Sequence, residues 1–318
     1  MTKLFFAACT LTLAATSAWG AANPQLLRLL PSDSKAIAGM DVSHAKASPF
    51  GQFLLSQAGP ASNLDKLKAA TGFDPRTDLL EIAMGGGTNG NGLVVGFGAF
   101  PIARLTTMAQ MSGTPTSSYR GMTLISAGNV PPTPLGKGAP VPSVAAFLDG
   151  STFAMGGEDL VKAAIDRWIG GAPASGILSQ KASEVSASAD AWVVVTSIDE
   201  LTGAAAPQLS QQAAMAQGIA SKIDTISGGL AFGDTNVTVH GQVQTRSTQD
   251  AQAISDIFQL LVAMAGPQAT QNPLLGSLQF APTGSAVNFT VTLTEQQVED
   301  LVKPKQPARN STPGIALE

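Results

Sequence analysis

Cysteine is almost missing from this chain. Its 318 residues include one, Cys9, inside an N-terminal stretch that reads as a removable export signal. A mature chain without thiols excludes cysteine catalysis, zinc–thiolate sites and disulfide staples. Stability must then come from a packed core, which a chain of this length can supply. Histidine is limited to His44 and His240 and tyrosine to Tyr119, with charged residues at 13% and a net charge of −4. No basic field exists to draw nucleic acid or an anionic membrane surface. No apolar run reaches the roughly 20 residues of a spanning helix, so no membrane span is expected after signal cleavage.

What is present begins with that signal, Met1 to Gly20. Lys3 supplies the positive start, Leu4 to Ala15 the apolar segment, and Ala18-Trp19-Gly20 small residues at −3 and −1. Cleavage is expected before Ala21, with a cut after Ala22 as the alternative. The expected location is periplasmic or extracellular.

The mature chain reads as α+β, in two similar halves built of antiparallel β-hairpin–helix units, with helices packed on one sheet face. Ile226 to Ala265 shows the unit most clearly. Val237, Val239 and Val243 alternate with Thr238, His240, Gln242 and Gln244, as in a half-buried strand. Ser247 or Thr248 then caps a helix with Ala251, Ile254, Phe258, Leu261 and Ala265 on one stripe. The first half is expected over 21–172, the second over 173–303, and a disordered tail over 304–318, where apolar periodicity is lacking. Gly171 to Ser188, small and polar, is the expected boundary. Ala36–Asp41 and Ala191–Thr196 match in role, each a strand leading into helices and then two hairpin–helix units. The first half carries an additional strand from Tyr119 to Ser126. Trp192 to Thr196, unbroken and apolar, is expected to be central and covered on both faces. Ser197 with Glu200 reads as a capping box, and Leu209 to Ile223 as a helix.

Gly72-Phe73-Asp74-Pro75-Arg76-Thr77-Asp78-Leu79 reads as a left-handed helix cap followed by an Asp-Pro turn. With the Tyr119-Arg120-Gly121 strand start, this turn resembles a family of exported bacterial proteins carrying a domain of unknown function. The shared pattern is Gly-hydrophobic-Asp-Pro-x-x-Asp-Leu in a protein of two α+β halves. The resemblance implies that architecture and export, and it transfers no catalytic residue.

Few residues are left to carry chemistry. His240 alternates with valines and is expected to face solvent. Asp41, Ser43 and His44 are sequence neighbours, whereas a working triad gathers its groups from separate segments. No nucleophile elbow or zinc-binding His-Glu-x-x-His appears. The acid pairs Asp199-Glu200 and Glu299-Asp300 suit solvated helix ends. Gly85 to Gly92 leads into the strand-like Leu93-Val94-Val95-Gly96-Phe97, so it reads as a hairpin tip and not a phosphate cradle. No catalytic residue, metal site or cofactor is therefore expected. The function expected is that of a non-enzymatic exported binding or interaction protein of the bacterial cell envelope, with an unidentified protein or apolar small molecule as partner. The alternative is a carrier of a lipid or other apolar ligand in a cleft between sheet and helices, and a hydrolase stands third.

Overall fold

The protein is described by a computed structural model covering residues 21–57, 61–86, 92–130, 140–171, 173–174, 176–196, 218, 220–264, 278–294 and 296–297. The chain opens with α1 (Pro24–Leu29), capped by the Asn23 side chain accepting from Gln25 N–H. Next come β1 (Ala36–Asp41), α2 (Val42–Ala47), α3 (Pro49–Gln57), α4 (Ala61–Thr71) and the single turn α5 (Pro75–Asp78). They are followed by β2 (Leu79–Gly86), β3 (Gly92–Gly98), α6 (Ile102–Met111), β4 (Thr116–Tyr119), β5 (Met122–Val130), β6 (Val141–Phe147), β7 (Thr152–Gly156) and α7 (Glu158–Gly170). After α8 (Ile177–Ser186) come β8 (Ala191–Val195), β9 (Ile223–Phe232), β10 (Asn236–Thr245), α9 (Thr248–Met264), β11 (Gln279–Thr283) and β12 (Ala286–Thr294).

These strands form one sheet in the order β11-β12-β10-β9-β8-β1-β2-β3-β7-β6-β5-β4. The order explains the repeat. Outward from β1 the neighbours are β2, β3, β7 and β6, and outward from β8 they are β9, β10, β12 and β11. The halves join where β1 and β8 pair antiparallel, Ala38 opposite Val193. Corresponding strand pairs carry the same device, a glycine roofed by a phenylalanine: Gly96 opposite Phe153 and Gly241 opposite Phe289. A Cβ on Gly96 would lie 2.1 Å from the Phe153 ring, and one on Gly241 2.2 Å from Phe289. The flat ring therefore requires the missing side chain beneath it. The α+β class and the antiparallel hairpin–helix units are as expected, and the halves share one continuous sheet.

Several local expectations are corrected. The strand expected from Tyr119 to Ser126 is a hairpin, β4 with β5, turning on Arg120 (φ 48°) and Gly121 (φ 83°). Two successive positive φ values match the right-handed strand twist. The boundary stretch Gly171–Ser188 contains α8, because Leu178, Ala182 and Val185 fall on one buried stripe. Asp41 and Ser43, which the sequence suggests serve a turn into a helix begun by Ser48, instead open the helix α2, capped by Asp41 accepting from His44 N–H. Pro282-Thr283-Gly284 reads as a turn in the sequence, but Pro282 lies within the edge strand β11, where no ladder hydrogen bond is forfeited. The helix expected to run to Ile223 ends before it, since β9 begins there. The export signal, the capping box at Ser197 and the tail at 304–318 lie outside the described residues.

Alternation splits the sheet into two faces. On the front, cross-strand neighbours form the row Leu124–Ala146–Ala154–Val95–Ala83–Gly39–Trp192–Gly229–His240–Thr290. From Leu124 to Ala83 every member is at most 1% exposed. Leu26 and Leu29 of α1, Val161 and Ile165 of α7 and Leu178 of α8 cover this part. Each such side chain contributes roughly 1.5–3 kcal/mol by leaving water. Beyond Trp192 the same row turns polar.

The back carries the row Ala145–Met155–Val94–Met84–Ala38–Val193–Gly228–Gly241–Phe289. Among the described residues, helices cover it only in places. Ala45 of α2 and Phe50 of α3 pack with Phe232, Val237 and Leu230. Ala251, Ile254 and Phe258 of α9 pack with Val243, Val287 and Phe289. The expectation of helices on one sheet face is therefore corrected: they lie against both, α1, α7 and α8 in front and α2, α3 and α9 behind, because the inward and outward strand positions both carry apolar residues.

Candidate functional site

The stretch of back face between those two helix groups is the candidate site. Ala191, Val193, Ile226, Gly228, Leu230, Val239 and Phe289 line a cleft of about 410 Å³. All seven are half-buried. β8, β9 and β10 supply the floor, and alternation brings only apolar or absent side chains to it. Gly228 matters most, because it leaves the middle of the floor bare. A Cβ there would meet only the His240 carbonyl at 3.3 Å and Gly241 Cα at 3.9 Å. Such a volume is within the range of small-molecule pockets, and a floor without polar groups suits an apolar occupant.

The histidines are placed as follows. His44, on α2, has its Nδ1 beside Asp190 Oδ1, from the far side of the β1–β8 seam. Asp190 is 3% exposed, and its Oδ2 accepts from Phe232 N–H at 2.6 Å. The carboxylate thus joins α2 to the end of β9. Ser43 Oγ donates to Asp41 Oδ1 at 2.6 Å, which commits that hydroxyl to the cap of α2. His240 lies on the front, opposite Val239 and Val243 as alternation requires. It is half-buried and not fully solvent-facing, with Nε2 3.2 Å from Ser188 Oγ. Burial lowers its pKa, and a backbone contact at Val185 opposes this. Glu184 lines the same shallow polar pocket but is bonded to Lys181 and Gln180, which hold its pKa down. Ser188 and Asp190 escaped the sequence reading, since partners 52 and 42 positions away leave no local pattern. Among the described residues no cluster of three potential metal ligands occurs, and no helix is long and apolar enough to cross a membrane.

The Gly72–Leu79 turn is built for structure. Gly72 has φ 78°, closing α4. Asp74, 3% exposed, accepts from Arg76 N–H and from Arg76 Nε, and pairs with Lys68 Nζ. Those contacts, Arg76 foremost, hold its carboxyl well below the usual range. Asp78 Oδ2 accepts from Asp74 N–H, which locks the opposite side of the turn. Phe73 packs on Phe100, centroids 5.3 Å apart.

At one end of the front face Glu81 is half-buried. Burial pushes its carboxyl up to about 7, while the Asn23 N–H bonded to Oε1 at 2.8 Å pulls the other way and Asp41, opposite in the β1–β2 register, adds to the rise.

No family model matches this chain, and no curated protein matches it. Among solved structures it is similar to crystal forms of a protein titled TP0453. Crystal form I superposes with a TM-score of 0.53 at 9% identity, covering 88% of this chain and 97% of that one. Crystal form IV gives a TM-score of 0.54 at 9% identity, covering 91% and 100%. The fold of this chain is therefore similar to that of TP0453 over 88–91% of its length.

Proposed function

We propose that this chain is an exported, non-enzymatic binding protein of the cell envelope, and that its ligand is a lipid or other apolar small molecule held in the back-face cleft. The supporting observation is the Val193–Gly228–Val239 floor, half-buried and apolar, left between the helices α3 and α9. Kinship with the exported domain-of-unknown-function proteins that the Gly72–Leu79 turn resembles belongs to the same proposal. Export rests on the Met1–Gly20 pattern. Ala22 is 3% exposed and its N–H donates to Ser186 Oγ at 2.8 Å. A cut before Ala21 keeps that contact, so the intact mass of the exported protein is expected to start at Ala21.

Native mass spectrometry of the purified mature chain tests the binding reading. Wild-type protein is expected to carry an apolar mass that solvent extraction removes and lipid extract restores. Gly228→Leu places a side chain in the cleft and is expected to lose that mass, with folding stability within about 1 kcal/mol of wild type. A Gly228→Leu protein that carries the ligand as well as wild type would exclude the cleft.

A further inference from the structure

A second, polar groove lies on the front face between α1 and α8, away from the apolar cleft. Its deeper part has a volume of about 350 Å³, with Arg28, Arg167, Ser34, Ser179 and Thr196 in its wall and no acid among its described lining residues. In a chain with more acids than bases, such a local excess of positive charge is unusual. Arg28 is the residue with unfilled capacity. Its guanidinium carbon sits 5.2 Å from the centre of the Trp168 ring, and its Nε is buried without a hydrogen-bond partner. A buried donor of a charged group left without an acceptor is costly, and the half-buried Arg28 guanidinium spends none of its bonding capacity on a described partner at Nε. Arg167 gives Nε and Nη2 to the Leu29 carbonyl at 3.1 and 2.6 Å. Burial lowers its pKa while the charges of Asp33 and Asp166 oppose this, and among the described residues no ion pair joins it to either acid. The first turn of α8 also lines the groove, and it has neither a side-chain cap nor an acidic residue. Its free N–H groups and the positive helix end add to the field of the two guanidiniums.

We propose that this groove binds a phosphate-type oxyanion, free or as the head of a small amphiphile, with Arg28 as the principal ligand and Arg167 and the α8 first turn completing the site. Arginine suits such a ligand because its planar fork matches the oxygens of a phosphate.

Amide spectra of the full mature chain, titrated with inorganic phosphate and separately with dihexanoyl phosphatidic acid, test this against chloride at equal ionic strength. Saturable shifts are expected at Ile177, Leu178 and Ser179, and Arg28→Met should weaken the binding by about tenfold or more. Gly228→Leu should leave it unchanged, which separates this site from the apolar cleft. Response to phosphate alone identifies a free anion, and response only to the phosphatidic acid identifies a headgroup. No saturable shift with either ligand, or binding that survives Arg28→Met undiminished, overturns the proposal. Thermal melts of Arg28→Met check that the variant is folded. Arg28→Lys, which keeps the charge without the fork, is expected to bind with intermediate strength.

Discussion

Glu81→Gln is expected to stabilise the protein at pH 8 and to leave it nearly unchanged at pH 5. The folded carboxyl has its pKa pushed from 4.5 to about 7, chiefly by burial. A group whose pKa is raised on folding holds its proton more tightly in the folded state. Stability is therefore greatest below the ordinary carboxylate pKa, falls as the pH rises from about 4.5 towards 7, and stays at the lower level above that. The full shift corresponds to about 3 kcal/mol, and the side chain's partial exposure reduces this to about 2 kcal/mol. Glutamine keeps the oxygen that accepts the Asn23 N–H and never ionises, so it removes the slope. Melting midpoints across pH 5 to 8 should show a difference opening with pH to about 4 °C or more. A constant offset at every pH would mean that Glu81 does not ionise as its surroundings dictate.

Asp190→Ala is expected to be the most damaging single change near the seam between the halves. Its buried carboxylate accepts the Phe232 N–H and faces His44, and truncation leaves that backbone donor without an acceptor. The expected loss is about 2–4 kcal/mol in denaturant unfolding. His44→Ala, which removes only the more exposed partner, should cost under about 1 kcal/mol. Were the two variants equally mild, Asp190 would not be the residue tying α2 to β9. Were His44→Ala the worse of the two, a role for the imidazole beyond this contact would be required.

Much of the architecture was legible because it rests on local rules. Ala36–Asp41 is β1 residue for residue, and Ser48-Pro49 starts α3 with Ser48 Oγ accepting from Gly51 N–H at 3.0 Å. Thr294 and Gln297 exchange hydrogen bonds as a capping box. Alternation from Val237 to Val243 assigned faces correctly. The α2 and α8 helices were hidden because each is short and set among small residues, so their apolar stripes are narrow. The β4–β5 turn was missed because Arg120 adopts a positive φ that side-chain-bearing residues rarely take. The candidate site was legible only in part. That valines and glycines of β8 to β10 face one way follows from period two, but that no helix among the described residues covers Val193, Gly228 and Val239 depends on strand order. Strand order is fixed by pairings across the whole chain, such as β1 with β8 and β10 with β12.

The most direct measurement of the binding account is a methyl spectrum of the mature chain, labelled at Ile, Leu and Val and titrated with decanol. Saturable shifts at Ile226, Leu230 and Val239, with Leu93 and Val95 on the buried front unmoved and Gly228→Leu unresponsive, are the predicted result. Shifts spread evenly over both faces, or none at those three methyl-bearing residues, would contradict the claim that the back-face cleft holds an apolar ligand.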